Sequence, residues 1–351
     1  MPSVTSSALA APAPKMPLEP ISVDLRDLRE HDVLLEVAFC GICHSDIHQV
    51  RDEWMDGIYP MVPGHEITGV VAAVGTAVTR YAAGDRVGIG GIVDSCRSCE
   101  FCEAGEEQLC AAGATLTYNS RDRNDGTPTY GGYGTHVLAD ENYVLRIPEG
   151  LDLDMAAPLM CCGVTVHSPL TRYGAAAGRR VAVVGLGGLG HMGVKIASAL
   201  GADVTALTRS RAKHSDALRM GADRAYATED QATFSELAGA FDLILSTIAI
   251  PHDLTPHLGL LKRGGVLVNL GMPEQSVSLS LVPLTFGCRT ITGSLIGGID
   301  QTQRTLNFCA DHKVVPEIET IAPAQVNHAF ERVLNSNVRY RFVIDAGAFQ
   351  A

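Results

Sequence analysis

The chain has 351 residues, of which 46% are hydrophobic and 36 are glycine, and it carries a formal net charge of −12. That length exceeds one ordinary core and favours two domains. The negative charge argues against nucleic acid and anionic membrane surfaces as partners, and no apolar run reaches the length of a spanning helix. The opening stretch, MPSVTSSALAAPAPK, lacks the basic start and apolar block of a secretory signal, which leaves the cytoplasm as the expected location. Residues 1 to about 20 read as a loose leader, as chain termini often are.

From Val33 the pattern is β. VLLEVAFCGI, ITGVVAAVG, DRVGIGGIV and GTHVLADENYVLRIP are short apolar runs broken by Gly, Pro and Asp, which predicts an irregular, mostly β domain. Inside it stands GICHSDIH, Gly41 to His48, which sets a thiol, a hydroxyl, a carboxylate and two imidazoles in one turn. A lone Cys in such a run is ordinarily a small buried hydrophobe. PGHEITG, with His65 and Glu66, and LMCCGVT, with Cys161, change that reading. Cys43, His65 and Cys161 supply three protein ligands and leave a fourth position for water or substrate, the pattern of a catalytic zinc site.

A second cysteine group follows in SCRSCEFCEAGEEQLC, with Cys96, Cys99, Cys102 and Cys110. One loop can wrap four thiolates tetrahedrally around zinc, and four protein ligands leave no room for substrate, so this is a structural site. An iron–sulfur cluster is the alternative, since cluster loops also use short cysteine spacings. A chain of this size has no need of disulfide staples, so metal is preferred for these thiols.

After Pro148 the pattern changes. VAVVG, a helix to Leu200, DVTALT, a helix from Lys213 to Met220, FDLILSTI and GGVLVNLGM alternate strand and helix, the mark of a doubly wound parallel sheet in an α/β fold. The final residues, ending in RYRFVID, are too few for a third domain and are expected to rejoin the first. The resulting division is 1–157, 158–293 and 294–351.

VAVVGLGGLGHMG presents Gly185, Gly187 and Gly190 as GxGxxG directly after a strand and at the start of a helix. The glycines permit a tight turn, backbone approach to a pyrophosphate and close packing of helix on strand. Where the second strand ends, NAD binding would call for a carboxylate on the ribose. Thr208 stands there, followed by Arg209, Ser210, Arg211 and Lys213, a set suited to the 2′-phosphate of NADP.

Zinc next to NADP(H) implies interconversion of an alcohol and an aldehyde, with zinc as Lewis acid and the nicotinamide as hydride carrier. Ser45, two residues from Cys43, and His48 provide a proton path. Glu66 is placed to visit the metal or tune its field, Asp46 to hold the far ring nitrogen of His65, and His44 to face the pyrophosphate.

CGICHSDIHQ, YPMVPGHEITGVV, VDSCRSCEFC, PLMCCGVTVHSPL, VGLGGLGHMGVK, GSLIGG and VRYRFVID together resemble the zinc-dependent medium-chain alcohol dehydrogenases. Within that medium-chain dehydrogenase/reductase family, the resemblance is to the cinnamyl alcohol dehydrogenase branch with its bacterial NADP-dependent aldehyde reductases. It implies a GroES-like, mostly β catalytic domain with an inserted Rossmann domain and a C-terminal return. It also implies catalytic zinc on Cys43, His65 and Cys161 with Glu66 as an exchanging ligand, and a second zinc on the cysteine tetrad. Cofactor contacts would come from Thr165, from Gly185, Leu186, Gly187, Gly188, Leu189 and Gly190, and from Thr208 through Lys213. Thr247, Gly271, Ser294, Leu295, Ile296 and Arg341 would complete them. Trp54, Met55, Tyr59, Leu116 and Leu295 would line an apolar substrate pocket, and a dimer or a dimer of dimers would form through the Rossmann domain.

The chain departs from the branch at Ser45, where Thr is common, at Cys162, where Ala usually adjoins the zinc ligand, and at His167, where Tyr is common. Other readings are a reductase of C=C or iminium groups, and a non-catalytic NADPH-binding redox sensor using Cys40, Cys162, Cys288 and Cys309. The intact Ser45 and His48 speak against the former.

Overall fold

The computed structural model describes residues 4–349. Two compact units emerge, one running to Cys161 and resuming at Gly297, the other comprising Cys162–Ile296.

The first unit is built on a seven-stranded sheet. Its strands lie in the order Ile318–Ile321, Arg341–Asp345, Asp32–Gly41, Ile67–Val74, Arg86–Ile89 and Val144–Arg146, with His136–Asp140 also paired to Asp32–Gly41. Asp32–Gly41 pairs antiparallel with Ile67–Val74, His136–Asp140 and Arg341–Asp345, so the C-terminal strand is an integral member of the first sheet. The β-branched and aliphatic runs read from the sequence supply its core, including Val33, Leu35, Val37, Ile67, Val71, Val87 and Ile89.

The loose leader expected at residues 1 to about 20 is not what forms. Residues 1–3 lie outside the described residues, but Thr5–Ala10 pairs antiparallel with Glu19–Asp24 as a two-stranded sheet. Ser6, Ala8 and Ala10 are buried. Leu9 donates its backbone N–H to Tyr133 at 2.8 Å, and Met61 and Ala11 exchange backbone hydrogen bonds at 2.9 Å. The reason is close backbone approach: a Cβ on Gly134 would stand 2.9 Å from Ser6 Oγ. Small side chains are what this contact needs, and small side chains give no hydrophobic signal.

The second unit is a six-stranded sheet in the order Arg224–Ala227, Asp203–Thr208, Arg180–Val184, Phe241–Ser246, Leu261–Asn269 and Thr290–Gly293. Every pairing in it is parallel. The chain begins in the centre, moves to one edge and then returns past its start to the other, so the strand order reverses beside Arg180–Val184. This is the doubly wound arrangement, and Val181 to Val184 are buried as its helix-covered faces require.

Candidate active site

The strand Asp32–Gly41 delivers the chain to Cys43, which caps the helix His44–Val50. Asp46, in the first turn, accepts the backbone N–H of Cys43 through Oδ2 at 2.8 Å, so the capping interaction also fixes Cys43. Gly41 lies against Glu66: it donates its N–H to the Glu66 carbonyl at 2.9 Å, and a Cβ there would come within 2.0 Å of Glu66 Oε2. His65 and Glu66 immediately precede the strand Ile67–Val74. Cys161 sits in a π-helical turn, Leu159–Gly163, within an otherwise α-helical run. Such turns displace side chains from regular helical positions.

These elements bring one donor atom each from Cys43, His65, Glu66 and Cys161 to within 4.8 Å of one another. Cys161 rather than its neighbour Cys162 contributes to this group, and Cys162 is fully buried. His65 donates from Nδ1 to Asp46 Oδ1 at 3.0 Å, which leaves Nε2 as its acceptor nitrogen. Ser45 Oγ lies 3.4 Å from that Nε2. His48 donates from Nδ1 to Glu53 Oε2 at 2.6 Å and stacks on Trp54 with ring centroids 4.6 Å apart. His44 is exposed.

The electrostatics of the group are those of ligands facing one another. The hydrogen bond from the Cys161 thiol holds the Cys43 thiol well below its ordinary range against the cost of burial, and the same contact pushes Cys161 well above it. Burial opposes a charged His65 ring, but the Asp46 carboxylate more than offsets it and the ring's pKa rises. Burial pushes the Glu66 carboxyl up to about 7 against the pull of Arg341. Arg341, expected among the cofactor contacts, forms a buried salt bridge to Glu66 Oε1. A fully buried carboxylate requires such a partner. Glu66 Oε2 is buried with no hydrogen-bond partner among the described residues. Two thiols, an imidazole nitrogen and a carboxylate oxygen within 4.8 Å of one another form a donor set that fits zinc.

Cys96, Cys99, Cys102 and Cys110 form a second group, their sulfurs likewise within 4.8 Å of one another. Cys96 donates its backbone N–H to Cys110 Sγ at 3.3 Å, and Ala111 donates to Cys99 Sγ at 3.4 Å. The Ser98 backbone N–H and the neighbouring thiols bring the Cys96 thiol down to about 6. Backbone donors aimed at sulfur are suited to thiolates. Among the described residues, which include all ten cysteines, no disulfide forms.

In the second unit, Gly185 has φ +90 and lies where the strand Arg180–Val184 turns toward the helix Gly190–Ala199. A Cβ on Gly190 would stand 1.9 Å from the Gly185 carbonyl oxygen, whereas one on Gly187 would meet nothing within 4 Å. Gly190 therefore serves packing, and Gly187 borders open space at the helix N-terminus, as a phosphate cradle requires. Lys213 Nζ donates to the Leu186 carbonyl at 2.9 Å, and Thr208 Oγ1 to the Ser210 carbonyl at 2.7 Å. Arg209 and Arg211 are exposed, with Arg211 3.7 Å from Asp230. Gly188 and Leu189 complete the loop, and no acid stands between Thr208 and Lys213.

Thr247 Oγ1 donates to the Val184 carbonyl at 2.9 Å, and Gly271 leaves no room for a Cβ, which would come within 1.8 Å of the Ile248 carbonyl oxygen. Thr165 Oγ1 is buried without a hydrogen-bond partner among the described residues. Ser294 and Ile296 are half-buried and Leu295 is exposed. These features, an open glycine, an orphaned hydroxyl and cations past the second strand, fit a phosphorylated dinucleotide.

Some of the site was missed from sequence. Tyr133 donates to Asp46 Oδ2 at 3.1 Å, and the Tyr118 ring lies 5.9 Å from the His65 ring. Glu53 was missed as the partner of His48. Of the apolar pocket residues, Tyr59 donates to the Val50 carbonyl at 3.1 Å, Leu116 is half-buried and Met55 is exposed. Burial forces His167 down to about 4. Two of the proposed sensing thiols have the opposite character to reactive ones: burial pushes Cys40 well up and Cys309 to about 12, whereas Cys288 is exposed.

Comparison with known proteins gives the family. Residues 29–149 match the alcohol dehydrogenase GroES-like domain, and residues 188–311 the zinc-binding dehydrogenase family. The chain is 55% identical over 348 residues to NADP-dependent alcohol dehydrogenase C 1 of Mycolicibacterium smegmatis, covering 99% of each. It is 47% identical over 340 residues to aldehyde reductase YahK of Escherichia coli, covering 96% of this chain and 97% of that one. Among solved structures, CAD from Helicobacter pylori complexed with NADP(H) superposes with a TM-score of 0.93 at 37% identity, covering 98% of this chain and 99% of that one. The chain therefore belongs to the zinc-binding alcohol dehydrogenases, in the branch that holds the cinnamyl alcohol dehydrogenases and bacterial aldehyde reductases.

Proposed function

We propose that this chain is an NADP(H)-linked, zinc-dependent alcohol dehydrogenase that works as an aldehyde reductase on aromatic or aliphatic substrates. The observation that carries the reading is the convergence of Cys43, His65, Glu66 and Cys161, with Glu66 Oε2 left unsatisfied. When bound, zinc supplies a Lewis acid for the carbonyl oxygen and NADPH supplies the hydride. Cys43, His65 and Cys161 would hold the metal, with Glu66 as an exchanging ligand whose charge Arg341 balances. Ser45, 3.4 Å from His65 Nε2, passes a proton to the reacting oxygen, and His48, held by Glu53, restores it.

The cysteine tetrad holds a second, closed zinc, giving two per chain. The Gly185–Gly190 loop, Thr208, Arg209, Ser210, Arg211 and Lys213 hold the phosphates of NADP, with His44 and Thr165 as further contacts. The absence of any disulfide among ten cysteines supports a cytoplasmic location. Among the described residues no helix is long and apolar enough to cross a membrane. Leu281, Val282 and Phe286 are exposed close in sequence to the edge strand Thr290–Gly293, which supports a homodimer, or a tetramer built from such dimers.

The test is an aldehyde panel run with NADPH and with NADH, zinc being measured on the same sample. Two zincs per chain and NADPH-dependent reduction are expected. Nucleotide binding without hydride transfer across the panel would leave a binding protein instead.

A further inference from the structure

Asp46 is fully buried, and its one carboxylate engages two of the four converging donor residues. Oδ1 accepts His65 Nδ1 at 3.0 Å, and Oδ2 accepts the Cys43 backbone N–H at 2.8 Å. Rotation of this carboxylate would disturb both at once. An Asp χ2 torsion is broad and roughly two-fold, so helix capping alone does not fix it.

The additional restraint is Tyr133, whose hydroxyl donates to Oδ2 at 3.1 Å. Tyr133 is itself immobilised. It is 0% exposed, its backbone N–H donates to the Pro63 carbonyl at 3.0 Å, and its carbonyl accepts from Leu9 at 2.8 Å. Its ring lies against Gly64, where φ is +108 and a Cβ would stand 2.5 Å from the ring. That glycine directly precedes His65 and Glu66. The phenol is thus braced on the backbone that carries two of the donors while its hydroxyl holds the acid that orients a third. Tyr118 approaches from the His65 side, its ring centroid 5.9 Å from that of His65.

We propose that Tyr133 is a positioning residue of the metal centre, its hydroxyl locking the Asp46 carboxylate so that His65 and Cys43 stay aimed at one point. This rests on the metal reading given above. Groups that orient metal ligands typically govern affinity by about 10- to 100-fold. Tyr133 acts through Asp46, which places its effect at the lower end.

Tyr133→Phe keeps the packed ring and removes only the hydroxyl. The experiment compares it with the wild type as zinc-loaded enzyme: zinc content, the rate of zinc transfer to a chromophoric chelator, the visible spectrum after cobalt substitution, and the melting temperature. One class of zinc is expected to leave about tenfold faster, with altered cobalt bands, while the other class and the melting temperature stay as in the wild type. Wild-type release rates in Tyr133→Phe would overturn the proposal. So would parallel acceleration of both zinc classes with a lowered melting temperature, which is a purely structural effect. Should Cys43→Ala leave zinc content unchanged, the metal reading itself falls and the positioning role with it.

Discussion

Ser45 separates two tasks that its neighbours share. Cys43 and His65 present donor atoms, whereas the Ser45 hydroxyl, proposed above as the proton carrier, lies 3.4 Å from His65 Nε2. Ser45→Ala is expected to lower the turnover number about 100-fold, the scale of general acid–base catalysis. Zinc content and the binding of NADPH should stay unchanged, and steady-state kinetics with metal analysis on one sample checks both. Unimpaired reduction by the variant would remove Ser45 from the proton path. The residues around it differ in how legible they were. Cys43, His65 and Glu66 stand close together in two motifs, so their chemistry shows in the sequence. Tyr133 and Arg341 reach the same site through sheet pairing and packing from remote positions, and no spacing announces them.

At the scale of elements, the helix Thr255–Leu260 carries a pH dependence unrelated to the metal. His257 is buried, neither of its ring nitrogens has a hydrogen-bond partner among the described residues, and the rings of His252 and Phe234 meet it edge-on at 5.7 and 5.6 Å. Burial, aided by the His252 charge, holds its pKa down to about 4 against an ordinary 6.5. The folded state then binds fewer protons than the unfolded chain. The stability His257 contributes is complete above pH 6.5 and is lost as pH falls toward 4, up to about 3 kcal/mol. His257→Phe is expected to flatten that acid limb in denaturant titrations between pH 4 and 6.5, leaving the part due to His167, whose pKa is lowered the same way. An unchanged slope would count against the assignment. Elements with strong periodicity, such as Arg180–Val184 and the helix after it, were plain from sequence because burial on both sheet faces demands continuous apolar runs. Thr5–Ala10 was not, since its Ser and Ala residues are selected for close backbone approach.

For the whole molecule, Thr290–Gly293 is an edge strand of its sheet, and Phe286, close to it in sequence, is an exposed aromatic side chain with 85% accessibility. If two copies associate there, Phe286→Glu is expected to shift the protein to a monomer in sedimentation experiments while leaving zinc content intact. A variant that remains dimeric would move the interface elsewhere. The Glu66–Arg341 pair, described above as local electrostatics, joins positions 275 apart in the chain. During synthesis Glu66 therefore leaves the ribosome long before its counter-charge exists. Until the last strand arrives, the first unit lacks both an inner member of its sheet and the cation that offsets its buried acid. The candidate catalytic centre should thus be the last part of that unit to mature, and on the two-zinc proposal a nascent chain stalled before Arg341 should bind zinc at the cysteine tetrad and not at Cys43, His65 and Cys161.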